Sequence, residues 1–187
     1  MFKEEKRQAV HILLLVFAFS LKYLNRTTAA LLLFGFLLVV LFIVPRLRGR
    51  HHFYRREDKK YSQGAVNYFL VLLVLVLVFP FEVVAASWGI LALGDGMATL
   101  VGKNFKTQEL AWNRNKSYIG SVAFILFGTV GAYVLLRWMS PDLTTLFVLG
   151  VSFKAATVSA IVESLPWKID DNISVPLVSA VVVSWLI

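Results

Sequence analysis

The chain contains no cysteine. Disulfides, thiolate metal sites and cysteine nucleophiles are therefore excluded. Acidic residues are few, with 11 Asp and Glu against 19 Lys and Arg. A basic excess of this kind also occurs in nucleic-acid-binding proteins. Here, however, the basic residues lie in short loops between hydrophobic segments, where they more often set membrane topology, and this placement argues against a nucleic-acid partner.

Hydrophobic sequence is abundant. Of the 187 residues, 58% are hydrophobic, and the mean hydropathy is +0.73. Seven apolar segments follow one another, the last of them short, and the loops between them are too short for a separate soluble domain. A spanning helix needs roughly 20 apolar residues. We therefore predict an all-α integral membrane protein, a bundle of about seven transmembrane helices that forms a single domain over residues 1–187.

The basic residues are distributed unevenly between the two sides of this bundle. Most lie in the N-terminal tail and in alternate loops, which places the N-terminus in the cytoplasm and the C-terminus outside. We expect a multi-pass protein of a prokaryotic plasma membrane with its site facing the cytoplasm. His11, in the first segment, and Arg55, in the second loop, are weaker site candidates, because an interfacial anchor explains them nearly as well.

The fourth segment ends in a run of small residues around a carboxylate, from Gly94 to Gly102. Asp95, Ala98 and Gly102 have helical spacing that places them on one face. Small residues let a second helix or a ligand approach closely, and an acid inside a membrane is by default a functional candidate. The alternative is a packing seam in which Asp95 pairs with a lysine.

A basic stretch from Trp112 to Ser121 leads into the fifth segment. Arg114 and Lys116 are candidates for phosphate binding, and Ser117 is placed to cap the following helix, whose N-terminus favours anions. The alternative is that the basic residues only set topology.

A third cluster lies between the sixth and seventh segments and contains Glu163, Asp170, Asp171 and Asn172. Neighbouring carboxylates repel one another unless a cation joins them, and oxygen ligands without His or Cys suit Mg²⁺ held together with substrate phosphates. The alternative is an acidic, solvated loop. Pro166 and Pro176 are expected at the flanking helix boundaries.

Lys154 lies deep within the sixth segment. We expect it to face the bundle interior, where it would pair with Asp95 or reach a phosphate. A lysine that snorkels to the membrane interface is the alternative.

Together these motifs resemble the family of CTP-dependent lipid-alcohol kinases, which includes phytol kinase, dolichol kinase and a fungal diacylglycerol kinase. The resemblance covers about residues 64–187. Three ordered blocks carry it: Asp95, Ala98 and Gly102; Lys116, Ser117, Gly120 and Ser121; and Glu163 to Pro166 followed by Asp170 to Pro176. The phytol kinase branch is the most similar, because dolichol kinases have an acid at the position of Ile119. Many family members also have glycine at the position of Lys106.

The resemblance implies transfer of the γ-phosphoryl group of CTP to the hydroxyl of a membrane-embedded isoprenoid alcohol, with Mg²⁺ as cofactor. It implies a catalytic set of Asp95, Lys116, Glu163 and Asp171, and a metal set of Asp95, Asp170, Asp171 and Asn172. The implied nucleotide-binding set is Gly96, Ala98, Gly102, Lys103, Trp112, Arg114, Lys116, Ser117, Gly120 and Ser121. Trp112 would stack on the base.

Several alternatives stay open at this stage. The general base is Asp95, Glu163 or Asp171, and Asp95 is our choice. The runner-up activity is nucleotidyl transfer of the phosphatidate cytidylyltransferase kind, which makes a CDP-lipid; diacylglycerol kinase activity is another. A small transporter is the non-enzyme alternative. It predicts polar residues spread across the membrane depth, whereas most of the candidate residues here lie near the expected cytoplasmic end. The sequence does not fix the oligomeric state, and a homodimer is compatible with it.

Overall fold

The computed structural model describes residues 9–48, 54, 58, 60–105 and 108–187. Seven helices in this part of the chain coincide with the seven predicted segments. They are α1 (Ala9–Tyr23), α2 (Arg26–Arg46), α3 (Gln63–Val78), α4 (Phe81–Asn104), α5 (Tyr118–Met139), α6 (Thr145–Ser164) and α7 (Asp171–Leu186). By length and composition, α2, α4, α5 and α6 can cross a membrane, whereas α1, α3 and α7 are shorter apolar helices. The fold is thus helical as predicted; the count of seven spans and the orientation stay predictions.

Helix α4 lies at the centre of the bundle and packs against α3, α5 and α7. Its closest neighbour is α5, because two glycines face each other where these helices cross. A Cβ added at Gly89 would lie 2.6 Å from the carbonyl carbon of Gly131. Only backbone fits in this crossing, so the glycines set the distance between α4 and α5.

The regular winding of α4 is interrupted by a π-helical segment, Ile90–Asp95. The extra residue in such a turn changes the direction of the side chains that follow, and π turns are frequent at functional sites. Asp95 is the last residue of this segment, and Gly96 begins the next α-helical stretch. The winding thus changes where the predicted catalytic carboxylate lies.

A short antiparallel hairpin, β1 (Glu109–Leu110) and β2 (Asn113–Ser117), connects α4 to α5. The hairpin was not predicted. Strand β2 ends at Ser117, whose hydroxyl accepts a hydrogen bond from the backbone N–H of Gly120. The predicted role of Ser117 as the helix cap is therefore confirmed.

The start of α7 differs from the prediction. The side chain of Asp170 caps this helix by accepting from the backbone N–H of Asn172 at 2.9 Å. The helix therefore begins at Asp171, and Pro176 lies buried inside it rather than at its boundary. Pro176 is the sixth residue of the helix and has no N–H, so the carbonyl of Asn172 receives no helical hydrogen bond from this position.

The expectation for Lys154 was wrong. Its side chain is exposed on α6. The buried face of α6 is formed by Val148, Val151, Ser152, Ala155, Ala156, Ser159, Ala160 and Glu163. At 3.6 residues per turn, Lys154 falls on the opposite side of the helix. It therefore does not point toward Asp95, and snorkelling to the membrane interface stays a prediction.

Candidate active site

Four charged side chains from four separate elements meet at one end of the bundle. Asp95 comes from α4, Lys116 from β2, Glu163 from the last turn of α6, and Asp171 from the first position of α7. The ammonium of Lys116 donates hydrogen bonds to Glu163 Oε1 and, at 2.7 Å, to Asp171 Oδ2. The predicted catalytic set is therefore assembled in space.

The hairpin holds Lys116 in place through contacts with the end of α6. The indole Nε1 of Trp112 donates to the carbonyl oxygen of Ser164 at 3.1 Å, and Asn113 Nδ2 donates to the same oxygen at 3.2 Å. Carbonyl groups in the last turn of a helix have no partner within it. The hairpin supplies partners for the carbonyl of Ser164, and it thereby fixes β2 beside Glu163.

The three carboxyl groups form a compact set of oxygen donors. One oxygen each of Asp95, Glu163 and Asp171 lies within 4.8 Å of the others. Ligands of Mg²⁺ lie about 2.0–2.1 Å from the ion, so opposite ligands are about 4 Å apart and small side-chain adjustments would complete a site. One ammonium among three carboxyl groups leaves an excess of negative charge. The donor type and this charge both fit a divalent cation.

The environment of Lys116 keeps its ammonium charged. Burial alone would lower the pKa of Lys116, but attraction to Glu163, Asp171 and Asp95 outweighs burial and raises the pKa above its ordinary value. The side chain is 23% exposed, against 4% for Glu163 and 33% for Asp171. The ion pairs are thus partly shielded from water, and they are stronger than pairs on an open surface.

The structure groups the carboxylates differently from the predicted metal set, which itself stays a prediction. Glu163, which was assigned to catalysis, joins Asp95 and Asp171, whereas Asp170 is not part of this group of carboxylates. Asp170 Oδ1 instead accepts from both the backbone N–H and the side-chain Nδ2 of Asn172. Asp170 is therefore a helix cap, because its short side chain reaches the amides of the first turn.

The small residues of the predicted nucleotide set pack against one another. A Cβ added at Gly102 would lie 2.9 Å from Ser117 Oγ, and one at Gly120 would lie 3.2 Å from the carbonyl oxygen of Ala98. Of the two readings of this motif, close approach of a second helix is the one observed. A nucleotide contact at Ala98, Gly102 or Gly120 stays a prediction.

The other members of that set are divided between the surface and the interior. Lys103, Trp112 and Arg114 are exposed, Gly96 is buried, and Ser121 is partly buried. Because Trp112 already bonds to Ser164, stacking on a base is a second role that stays a prediction.

A polar cavity of about 1020 Å³ opens beside the charged cluster. Lys116, Glu163 and Asp171 line it, together with polar residues that the prediction missed: Asp58, Gln63, Asn67, Asn113, Asn115 and Lys168. Gln63 Nε2 donates to Asn67 Oδ1 at 3.0 Å at the start of α3. A polar pair with a spacing of four residues in an otherwise apolar segment was the signal available for these two residues.

A second cavity, of about 320 Å³, lies on the other side of the first turn of α7 and is mostly apolar. His11, Tyr68, Asp95 and Asn172 also line it. The His11 ring lies 4.3 Å from the Tyr68 ring, measured between centroids. His11 therefore belongs to the wall of this cavity, whereas Arg55 lies outside the described residues.

Several curated plant proteins are similar to this chain. A probable phytol kinase, chloroplastic, of Triticum aestivum is 34% identical over 139 residues, which are 68% of this chain and 46% of that protein. Phytol kinase 1, chloroplastic, of Arabidopsis thaliana is 33% identical over 127 residues, or 62% of this chain and 40% of that protein. Farnesol kinase, chloroplastic, of the same plant is 35% identical over 97 residues, or 48% and 31%.

The chain spans less than half the length of these relatives. No family model matches it, and no solved structure matches it. The relatives are named as chloroplastic proteins of plants, so they do not support the expected prokaryotic plasma membrane.

Proposed function

Since the chain belongs to a phytol kinase-like family, we propose that it phosphorylates the hydroxyl of an isoprenoid alcohol held in a membrane, with CTP as phosphoryl donor. The observation that carries the proposal is the convergence of Asp95, Glu163 and Asp171 around Lys116 at the edge of a polar cavity. Phosphoryl transfer depends mainly on positioning and on neutralising phosphate charge. A cluster of this composition meets both needs.

The chain's own residues divide these tasks. Asp95, Glu163 and Asp171 would hold Mg²⁺, which would neutralise charge on the phosphates. Lys116 and Lys168 line the polar cavity and would bind phosphate oxygens. Arg114 is exposed on the same hairpin as Lys116, from which it would reach the outer phosphates. The choice of CTP over other nucleotides rests on family resemblance alone.

In the proposed reaction the alcohol oxygen bonds to the γ-phosphorus while the bond from that phosphorus to the β–γ bridging oxygen breaks. CDP leaves and the alcohol becomes its monophosphate. The hydroxyl proton passes to Asp95, which alone among the three clustered carboxylates also lines the apolar cavity. This position supports Asp95 over Glu163 and Asp171 as the base.

The proposed orientation places this end of the bundle at the cytoplasmic face, or at the topologically equivalent face of an organelle. Lys103, Arg114, Lys116 and Lys168 all belong to elements at this end. Basic residues are enriched on that side of membrane proteins. A water-soluble nucleotide would reach the polar cavity from there.

The test is a kinase assay with the purified full chain in lipid nanodiscs, with CTP and Mg²⁺. Phytol, farnesol, geranylgeraniol, dolichol and diacylglycerol are offered in turn, and ATP, GTP and UTP compete with CTP. We expect CDP and a prenyl monophosphate. Pyrophosphate with a CDP-lipid would overturn the kinase proposal in favour of nucleotidyl transfer. Asp95→Asn should abolish turnover, whereas Asp142→Asn, in the α5–α6 loop, should not.

A further inference from the structure

Asn172, which lines the apolar cavity, has a buried acceptor atom that receives no hydrogen bond from the described residues. Asn172 is 6% exposed, and its Nδ2 donates to Asp170 Oδ1 at 2.8 Å. Its Oδ1 is buried and has no hydrogen-bond partner among the residues that the structure describes. Buried polar atoms are nearly always paired. An acceptor without a donor, in a residue that lines a cavity, points to a ligand that carries an O–H or N–H group.

The walls of the cavity indicate the polarity and the size of that ligand. They are formed mainly by apolar side chains of α1, α2 and α3, including Leu14, Phe36, Val40 and Phe69. A ligand that fills this space is apolar along most of its length. At about 320 Å³ the cavity is at the lower end of the range for small-molecule sites, ~300–1,000 Å³.

The first turn of α7 separates this cavity from the polar one. Asp171 lines the polar cavity, and the next residue, Asn172, lines the apolar cavity. Successive residues of a helix point about 100° apart, so one turn presents a carboxylate to one side and an amide to the other. A group held at Asn172 therefore lies one helical turn from the charged cluster.

We propose that this cavity is the acceptor site, in which the hydroxyl end of the prenyl alcohol is held with its O–H donating to Asn172 Oδ1. The inference rests on the proposed function and names the site of its lipid substrate. A hydroxyl has a single hydrogen, so Asn172 accepts it in the bound complex. The hydroxyl then turns toward Asp95, which lines the same cavity, as the bond to phosphorus forms. Asn172 is thus a binding residue that selects an alcohol.

The first test measures binding without catalysis. Thermal unfolding of the full chain in nanodiscs is followed with farnesol and with farnesyl methyl ether, which has no O–H to donate. Farnesol should raise the unfolding temperature of the wild type more than the ether does. Asn172→Leu should abolish this difference. Asp170→Ala removes the same Asp170–Asn172 contact but keeps Asn172 Oδ1, so it should retain the preference for the alcohol.

The second test fills the cavity. Ala65 lines it from α3, whereas Val74 of the same helix is 41% exposed and lines none of the described cavities. Ala65→Phe should raise the KM for farnesol by about 10-fold or more, which corresponds to about 1.4 kcal/mol of lost binding. It should leave the KM for CTP unchanged, and Val74→Phe should change neither constant.

The outcomes separate this inference from the proposed function. An active kinase whose farnesol KM and alcohol preference survive both Ala65→Phe and Asn172→Leu overturns the acceptor site alone. Farnesol binding that both variants abolish, in a protein without kinase activity, overturns the proposed function and supports the site. Absence of both binding and activity overturns both.

Discussion

The ammonium nitrogen of Lys116 lies 2.7 Å from Asp171 Oδ2 and also donates to Glu163. This lysine joins the hairpin to the facing ends of α6 and α7, and it offsets carboxylate charge there. In the structure the ammonium binds the carboxylates. We propose that a divalent cation would take over that charge and free the lysine for a phosphate.

Replacement of Lys116 by methionine tests this exchange. Lys116→Met leaves carboxylates facing one another without an ammonium, so we expect a loss of about 1–3 kcal/mol in the free energy of unfolding. Mg²⁺ should recover more stability in Lys116→Met than in the wild type, since the cation replaces the missing charge. Thermal unfolding with and without Mg²⁺ measures both effects. Equal responses to Mg²⁺ would contradict the exchange.

The raised pKa of Lys116 gives a prediction for alkaline pH. A group whose pKa is raised in the folded state contributes its full stability below its unfolded value, ~10.4, and loses it as pH rises through the folded value. The wild type should therefore keep a stability advantage over Lys116→Met up to about pH 10, and the advantage should fall only above that. Chemical denaturation across this range measures it. A decline already near pH 8 would contradict the shift.

The observed carboxylate group predicts different effects for substitutions of Glu163, which belongs to it, and of Asp170, which does not. Glu163→Gln should weaken Mn²⁺ binding at least ~10-fold, because it removes a charged oxygen donor from the cluster. Asp170→Asn keeps an acceptor oxygen at the helix cap and should bind Mn²⁺ almost as the wild type does. Electron paramagnetic resonance titration of Mn²⁺ compares them. The reverse order would restore the sequence-based set.

Substitutions of Trp112 distinguish two roles of this side chain: anchoring of the hairpin to Ser164 and stacking on the nucleotide base. Trp112→Phe keeps an aromatic face but removes the N–H that donates to Ser164. If anchoring is its role, kcat falls because Lys116 loses its support, while the KM for CTP changes little. Steady-state kinetics in both substrates distinguishes the roles. An increase confined to the KM for CTP in Trp112→Ala, with Trp112→Phe unchanged, would favour base stacking.

The glycine crossing predicts opposite effects for two helical glycines. Gly89→Ala places a Cβ 2.6 Å from the backbone of Gly131, so it should destabilise the protein by about 1–3 kcal/mol. Gly150 of α6 has nothing within 4 Å of an added Cβ. Gly150→Ala should stabilise the protein by up to about 1 kcal/mol through helix propensity. Thermal unfolding of both variants checks the pair, and a neutral Gly89→Ala would refute the close crossing.

The sequence predicted the positions of the helices because each apolar run is bounded by charged or turn-forming residues. The Ser117 cap was also predictable, since capping is a local property of the chain. The grouping of Asp95, Glu163 and Asp171 was predicted only in part. Asp170 and Asp171 are adjacent in sequence, and only the helix start decides which one faces the cluster.

The direction of Lys154 could not be predicted from its depth in the segment. A buried face is defined by the neighbouring helices, and α6 has hydrophobic side chains on both its inner and its outer side. The exposed side includes Leu146, Leu149 and Phe153. Hydrophobicity therefore does not distinguish the two faces of a helix whose outer side meets lipid.

The first turn of α7 has a thermodynamic consequence for the proposed reaction. Asp171 and Asn172 face cavities of opposite polarity across the thickness of a single helical turn. In the proposed reaction the isoprenoid chain stays in the bilayer and the triphosphate stays in water. Neither substrate then has to be transferred between lipid and water, and only the phosphoryl group passes from one environment to the other.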